Sequence, residues 1–303
     1  MTVRLAGLWG FALTPFRDGR VDPTAFTAGI ERMVAGGVDV VCVGGTLGQG
    51  DRMSSREQLE CLAIAVRAAA GRAPVIGTMR ADEGAIAGDV LAAGASALLV
   101  LPATGDPADA LGALREIRRH TDGQLPVVLY QRGPLSLEPA DLAHLVDEPN
   151  LVGVKDAHGD MRRFRRLHEA FGRRLTWIGA SEDLMLAFWA YGADAASPAS
   201  VAYAPAYARR VWSALGRGDR DEAVRLLRLF AWPVTDLRMS RSNIDVSVVR
   251  EFAAEFGLPV GELRPPAEPL TADERDAVRR LAGTLRAELE SGGVPALVRM
   301  AAS

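Results

Sequence analysis

The sequence predicts an α/β fold, a (β/α)8 barrel with additional C-terminal helices. Three observations lead there. Apolar strand-like runs alternate with amphipathic segments over about 200 residues, which implies parallel strands joined by right-handed crossovers. The runs are apolar throughout, as expected where both faces of a strand are covered. Eight of them occur, and the first is not followed by the Gly-x-Gly-x-x-Gly of a dinucleotide-binding sheet, which favours a closed barrel over a doubly wound sheet.

The first strand is expected at residues 7–13. A helix then ends on Ala35-Gly36-Gly37, and the second strand, Val40–Val43, follows at once. The same design recurs at Ala92-Ala93-Gly94-Ala95 before strand four (98–101) and at Tyr191-Gly192-Ala193-Asp194 before strand eight (195–197). Glycine suits the position after a helix because positive φ brings it no Cβ clash. Strands three, five, six and seven are expected at 74–78, 126–130, 151–155 and 175–179. The helical segments between them show apolar spacing near 3.6, as in 57–70 with Leu59, Leu62, Ala63 and Val66. Beyond residue 197 the pattern becomes helical, at 203–215, 220–230, 246–256 and 272–289. The expected organisation is a barrel core at 1–200 and a helical extension at 201–303 packed on it, with the residues from Gly292 onward fraying.

Composition narrows the function classes. Hydrophobic residues make up 49% and charged residues 24%, enough for a large core and against disorder. A net charge of −3 offers nucleic acid no attraction, and the run Arg162, Arg163, Arg165 and Arg166 reads as a solvated helix face. Met1-Thr2-Val3-Arg4-Leu5 lacks the basic segment and apolar stretch of a signal peptide, and no apolar run approaches the ~20 residues of a membrane span, so a cytoplasmic location without membrane partners is expected. Cys42 and Cys61 have no metal-type spacing and are expected to be buried thiols; no metal is expected.

Lysine usage is the unusual feature. Lys and Arg together number 35, and Lys155 is the only lysine, leaving 34 arginines. Arginine fills most surface roles of lysine, but a guanidinium stays protonated and cannot serve as an amine nucleophile. Lys155 also ends a strand, Leu151-Val152-Gly153-Val154-Lys155. In such barrels the active site lies at the C-terminal strand ends, where low dielectric disfavours the charged amine and brings its pKa toward working pH. Tyr130 ends the preceding strand, so its hydroxyl is expected beside the lysine, suited to the proton transfers of carbinolamine chemistry. Strand two ends in Val43-Gly44-Gly45-Thr46, where glycine N–H groups at Gly45 and the Thr46 hydroxyl suit a substrate carboxylate.

These residues carry a resemblance. Leu13-Thr14-Pro15-Phe16, Gly45-Thr46-Leu47-Gly48-Gln49, Leu129-Tyr130 and Gly153-Val154-Lys155-Asp156-Ala157-His158-Gly159-Asp160 match, in order, motifs of the dihydrodipicolinate synthase and N-acetylneuraminate lyase family of class I aldolases. The chain resembles that family over about residues 5–290. The resemblance implies a Schiff-base lysine at Lys155, a partner tyrosine at Tyr130, a homo-oligomer (dimer or tetramer), a small 2-oxo acid as substrate and no cofactor. Leu47 and Gln49 depart from the synthase's Gly-Thr-Thr-Gly-Glu loop, Ala103-Thr104 from its Pro-Tyr-Tyr motif, and Leu135 from its arginine five residues after the tyrosine. The chain looks more like the 5-dehydro-4-deoxyglucarate dehydratase branch, which it matches at Arg132, Pro149-Asn150-Leu151-Val152-Gly153, Leu263-Arg264-Pro265-Pro266, Leu270-Thr271 and Glu274.

The expectation is therefore a Schiff-base lyase, with dehydration and decarboxylation of 5-dehydro-4-deoxyglucarate as the leading case. Lys155 and Tyr130 are the expected catalytic residues. Gly45, Thr46, Arg132, Gly179, Ser181, Glu182 and Ser197 are the expected substrate contacts. The alternatives are a pyruvate-dependent aldolase on the same lysine and a non-catalytic keto-acid binder.

Overall fold

The computed structural model describes residues 4–292. Eight parallel strands close into a barrel: β1 (Gly7–Phe11), β2 (Val40–Val43), β3 (Val75–Arg80), β4 (Ala97–Leu101), β5 (Val127–Gln131), β6 (Leu151–Asp156), β7 (Thr176–Gly179) and β8 (Ala195–Ala196). Each pairs with its sequence neighbours, and β8 pairs with β1 to close the ring. The strands lie where the apolar runs placed them, within two residues at either end. The three helix-ending glycines have the predicted positive φ: 85° at Gly37, 93° at Gly94 and 94° at Gly192.

Eight helices form the shell: α1 (Pro23–Ala35), α2 (Ser55–Ala69), α3 (Ala87–Ala92), α4 (Pro107–His120), α5 (Pro139–Leu145), α6 (Met161–Phe171), α7 (Met185–Ala190) and α8 (Pro205–Gly216). Their starts are chemically marked. Asp22 accepts from the N–H groups of Thr24 and Ala25, and Ser54 and Glu57 form a reciprocal capping box at α2. The basic run of α6 follows a similar cap, with Asp160 accepting from Arg162 and Arg163.

Strand alternation splits the core in two. Val127, Leu129 and Val154 belong to the larger cluster between strands and helices. Trp9, Val40, Cys42, Ile76, Leu99, Val128 and Ile178 fill the barrel interior. That interior is packed rather than porous, so polar side chains at its upper rim stand on an apolar floor.

The extension continues with α9 (Arg220–Leu226), α10 (Trp232–Arg238), α11 (Asp245–Glu255) and α12 (Ala272–Ser291). A single helix at 220–230 was expected. Instead the chain runs through a π turn at Leu227–Ala231 straight into α10. Pro233 supplies the reason: it has no N–H and its ring crowds the carbonyl four residues back, so the ladder widens to accommodate it. Tyr203, Tyr207, Phe230 and Phe252 stack edge and face at centroid distances of 5.2–6.2 Å, joining α8, the π turn and α11.

Two arginines tie the extension to the barrel rim. Arg250 donates to the carbonyls of Thr14 (3.0 Å) and Glu262 (2.7 Å). Arg264 pairs with Glu57 at 2.7 Å and lies 3.8 Å over the Phe16 ring, while the Gln49 side chain donates to its carbonyl at 2.7 Å. Both Leu263-Arg264-Pro265-Pro266 and Gln49 thus serve this attachment. No described helix is long and apolar enough to cross a membrane.

Candidate active site

Lys155 occupies the last inward-facing position of β6, and Tyr130 is its register partner on β5. The lysine is 4% exposed. Its Nζ lies 3.6 Å from the centroid of the Tyr130 ring and 4.5 Å from that of Phe11. Burial drives its pKa below the ordinary lysine value, opposed by Tyr130. For Tyr130, burial works to raise the phenol, but Lys155 and Arg132 outweigh it and set the pKa below its usual value. Burial thus biases the amine toward its neutral, nucleophilic form, with the Tyr130 phenol in contact as a proton donor, which is what a carbonyl addition needs.

Both residues open into a cavity at the C-terminal rim. Gly45, Thr46, Arg132 and Ser197 line it with them. Arg132 donates from Nη1 to the Thr46 hydroxyl at 2.5 Å and sits 5.3 Å from the Tyr130 ring. Arg132 and Thr46, 86 residues apart, so form one polar corner beside the lysine. The loop that carries Arg132 is held by Asp156, the residue after the lysine. Asp156 accepts from the Gln131 side chain at 2.5 Å and from the N–H groups of His158 (2.8 Å) and Gly159 (3.1 Å). Gln131 in turn accepts from the Leu137 N–H at 2.8 Å, and His158 Nε2 is 2.8 Å from the Leu135 carbonyl. The motif around Lys155 thus positions its neighbour loop as well as the amine.

Three expected substrate contacts are not in the cavity lining. A Cβ at Gly179 would stand 2.5 Å from the Phe188 ring, so that glycine makes room for α7. Ser181 donates to Asp183 at 2.8 Å. Glu182 turns into the protein, 4% exposed, where it accepts from the hydroxyl and the N–H of Ser200. Burial raises its pKa, against those bonds. The strand ends at Gly179, and Ala180 is the residue that reaches the cavity. The glycines after β2 also serve packing: a Cβ at Gly45 would meet the Phe11 ring at 2.3 Å, and one at Gly50 the Gly44 carbonyl oxygen at 1.7 Å.

Sequence reasoning missed several lining residues. Thr78, on β3, is 8% exposed, and its hydroxyl has no partner among the described residues. It terminates an expected strand, the same signal that identified Lys155 and Tyr130. Leu47 and Leu101 supply apolar wall, whereas Leu135 is fully buried outside the lining. Arg238 and Asp245 reach the rim from α10 and α11, with Arg238 Nε donating to Asp245 at 2.5 Å. Among the described residues no group of three or more His, Cys, Asp or Glu could hold a metal ion.

Comparison with known proteins agrees with this geometry. The chain is 33% identical over 294 residues to a Methylobacterium radiotolerans protein named probable 5-dehydro-4-deoxyglucarate dehydratase, covering 93% of this chain and 95% of that one. It is 34% identical over 221 residues to the 4-hydroxy-tetrahydrodipicolinate synthase of Hyphomonas neptunium, covering 70% and 75%. Among solved structures it is similar to dihydrodipicolinate synthase from Bacillus clausii, with a TM-score of 0.85 and 26% identity over 92% of this chain and 97% of that one. The dihydrodipicolinate synthetase family model matches residues 4–285. With its barrel, its rim lysine and this match over nearly its whole length, the chain belongs to the dihydrodipicolinate synthetase family.

Proposed function

We propose that the protein is a Schiff-base-forming lyase that dehydrates and decarboxylates 5-dehydro-4-deoxyglucarate to 2,5-dioxopentanoate. One observation carries the reading. The chain's sole lysine is a buried amine biased toward neutrality, in contact with Tyr130 and sharing a cavity with the Arg132–Thr46 corner. The one-third identity to the Methylobacterium radiotolerans protein over almost the full chain supports the substrate.

The neutral Lys155 amine adds to the 2-oxo carbon while the substrate carboxylate lies against Arg132 and Thr46. Tyr130 gives a proton to the carbinolamine oxygen, which leaves as water, and the protonated imine remains. The iminium withdraws electrons from the adjacent CH2. Loss of a proton there gives an enamine, which expels the next hydroxyl along the chain as water. Loss of CO2 and hydrolysis of the imine then release product and free Lys155. The Thr78 hydroxyl, without a protein partner, is available to the substrate in place of the hydroxyl missing at Leu47. Assembly as a homo-oligomer belongs to the same reading, supported by exposed Trp189 and Tyr191.

Borohydride reduction with a 2-oxo acid tests the chemistry, since it converts the iminium to a stable secondary amine. The mass of the peptide containing Lys155 should rise by that of the reduced ligand, and Lys155→Arg should abolish the change. Turnover of 5-dehydro-4-deoxyglucarate, with release of CO2, should exceed any condensation of pyruvate with aspartate semialdehyde. A pyruvate-dependent aldolase is the second reading, favoured by the similarity to the Hyphomonas neptunium synthase; turnover in the opposite order would establish it.

A further inference from the structure

The cavity contains a second cation that the barrel does not supply. Arg238 ends α10, Asp245 begins α11, and both line the cavity that holds Lys155. The Arg238 side chain is 18% exposed. Its Nε is taken by Asp245, and neither Nη has an acceptor among the described residues. A guanidinium presents five N–H donors in a planar fork, so the edge left over can engage a carboxylate. Burial works against its charge, while Asp245, with Glu182 behind it, more than restores it. Asp245 is itself half-exposed, at 47%, so an incoming anion meets a hydrated carboxylate and an ordered guanidinium.

Arg132 cannot serve both ends of a diacid. It is engaged with Thr46 on the β2–β5 side of the rim, against the Tyr130 ring, where the carboxylate next to the reacting ketone belongs. A monocarboxylate such as pyruvate requires that corner alone. We propose that Arg238, oriented by Asp245, binds the distal carboxylate of an open-chain 2-oxo diacid whose first carboxylate lies at Arg132 and Thr46. The assignment rests on the Schiff-base reading above and deepens it: the helical extension, rather than the barrel, selects for a second negative charge.

The test uses full-length protein and three keto acids trapped by borohydride: pyruvate, 2-oxohexanoate and 2-oxoadipate. The last two have the same chain length and differ in the distal carboxylate. For the wild type, half-maximal labelling of Lys155 is expected at a concentration at least about tenfold lower for 2-oxoadipate than for 2-oxohexanoate. In Arg238→Gln that ratio should fall to within about twofold, and Asp245→Asn should lower it partway. The ratio is taken within one protein, so a general weakening of the site cancels. Arg238→Met, which keeps the aliphatic stem, is the second variant if glutamine prevents folding, with the same fall expected. A wild type that labels with both six-carbon acids at equal concentrations, or Arg238 variants that keep the preference, overturns the assignment and leaves the Schiff-base reading standing. Labelling by none of the three acids overturns both.

Discussion

Replacing Lys155 with methionine removes the ionisable amine yet keeps a flexible chain of similar length between Phe11 and Tyr130. The charges acting on the native amine are those of Tyr130, Cys42 and Arg132, with no carboxylate among them. Burying the amine is costly either way, as an ammonium held out of water or as a proton given up to stay neutral, and of these several kcal/mol each ring contact returns at most about 1–2 kcal/mol. Lys155→Met should therefore be more stable than wild type by about 1–3 kcal/mol at pH 7 while losing all Schiff-base labelling. The pH dependence has a definite sign. The folded-state pKa lies below the free value of 10.5, so between the two the unfolded chain holds a proton that the folded chain has released. Wild-type stability then rises with pH across that window, and the variant's advantage shrinks as 10.5 is approached. Urea unfolding of both proteins at one protein concentration, at pH 7 and pH 9, measures it. A variant less stable than wild type at pH 7, or an advantage that grows with pH, would refute the reasoning.

Arg132→Ala should lower kcat/KM for the diacid by about 30- to 1000-fold, the worth of one guanidinium–carboxylate pair in a shielded site, as measured by product release. Thr78→Val removes a buried hydroxyl that has no protein partner, so thermal unfolding should be unchanged or shifted upward while kcat falls; a clear loss of stability would mean the hydroxyl is paired in the native protein. Glu182→Gln removes the charge while its amide oxygen can still accept from the Ser200 N–H and its NH2 can donate to the Ser200 hydroxyl, reversing that one bond. Because burial raises the native carboxyl, the folded state holds its proton longer than the unfolded chain, and wild-type stability falls as pH rises from about 4.5 through the folded pKa. The glutamine variant should escape that fall, which unfolding curves at pH 4 and pH 7 would register.

The eight strands were legible because a barrel strand is covered on both faces and reads as an unbroken apolar run. Lys155, Tyr130 and Thr46 were legible for a related reason: a polar residue ending such a run is conspicuous, and the fold turns every such end toward one rim. The same rule applied to β3 would have found Thr78. Arg238 and Asp245 gave no such signal, since they arrive from a helix pair whose docking depends on Arg250, Arg264 and an aromatic cluster distributed over much of the chain. Glu182 misled because the strand end locates a residue's backbone while the following turn decides where its side chain goes. The π turn at Leu227–Ala231 gave no signal of its own: the expected helix stops at residue 230, short of Pro233, whereas the chain takes up the gap that Pro233 leaves in the hydrogen-bond ladder and stays helical through it.

The lone lysine also makes the chain a natural reporter of its own unfolding. A lysine-specific protease has one bond to cut, and that bond lies within the last two residues of β6, a barrel strand paired on both sides with β5 and β7. Fraying of loops and termini exposes nothing to it, since local openings elsewhere contain no lysine. Cleavage into two nearly equal fragments therefore requires the barrel itself to open. Its rate, followed on a gel under native conditions, counts barrel openings alone, and a ligand attached to Lys155 silences the clock twice over, by holding the barrel shut and by removing the only cleavable side chain.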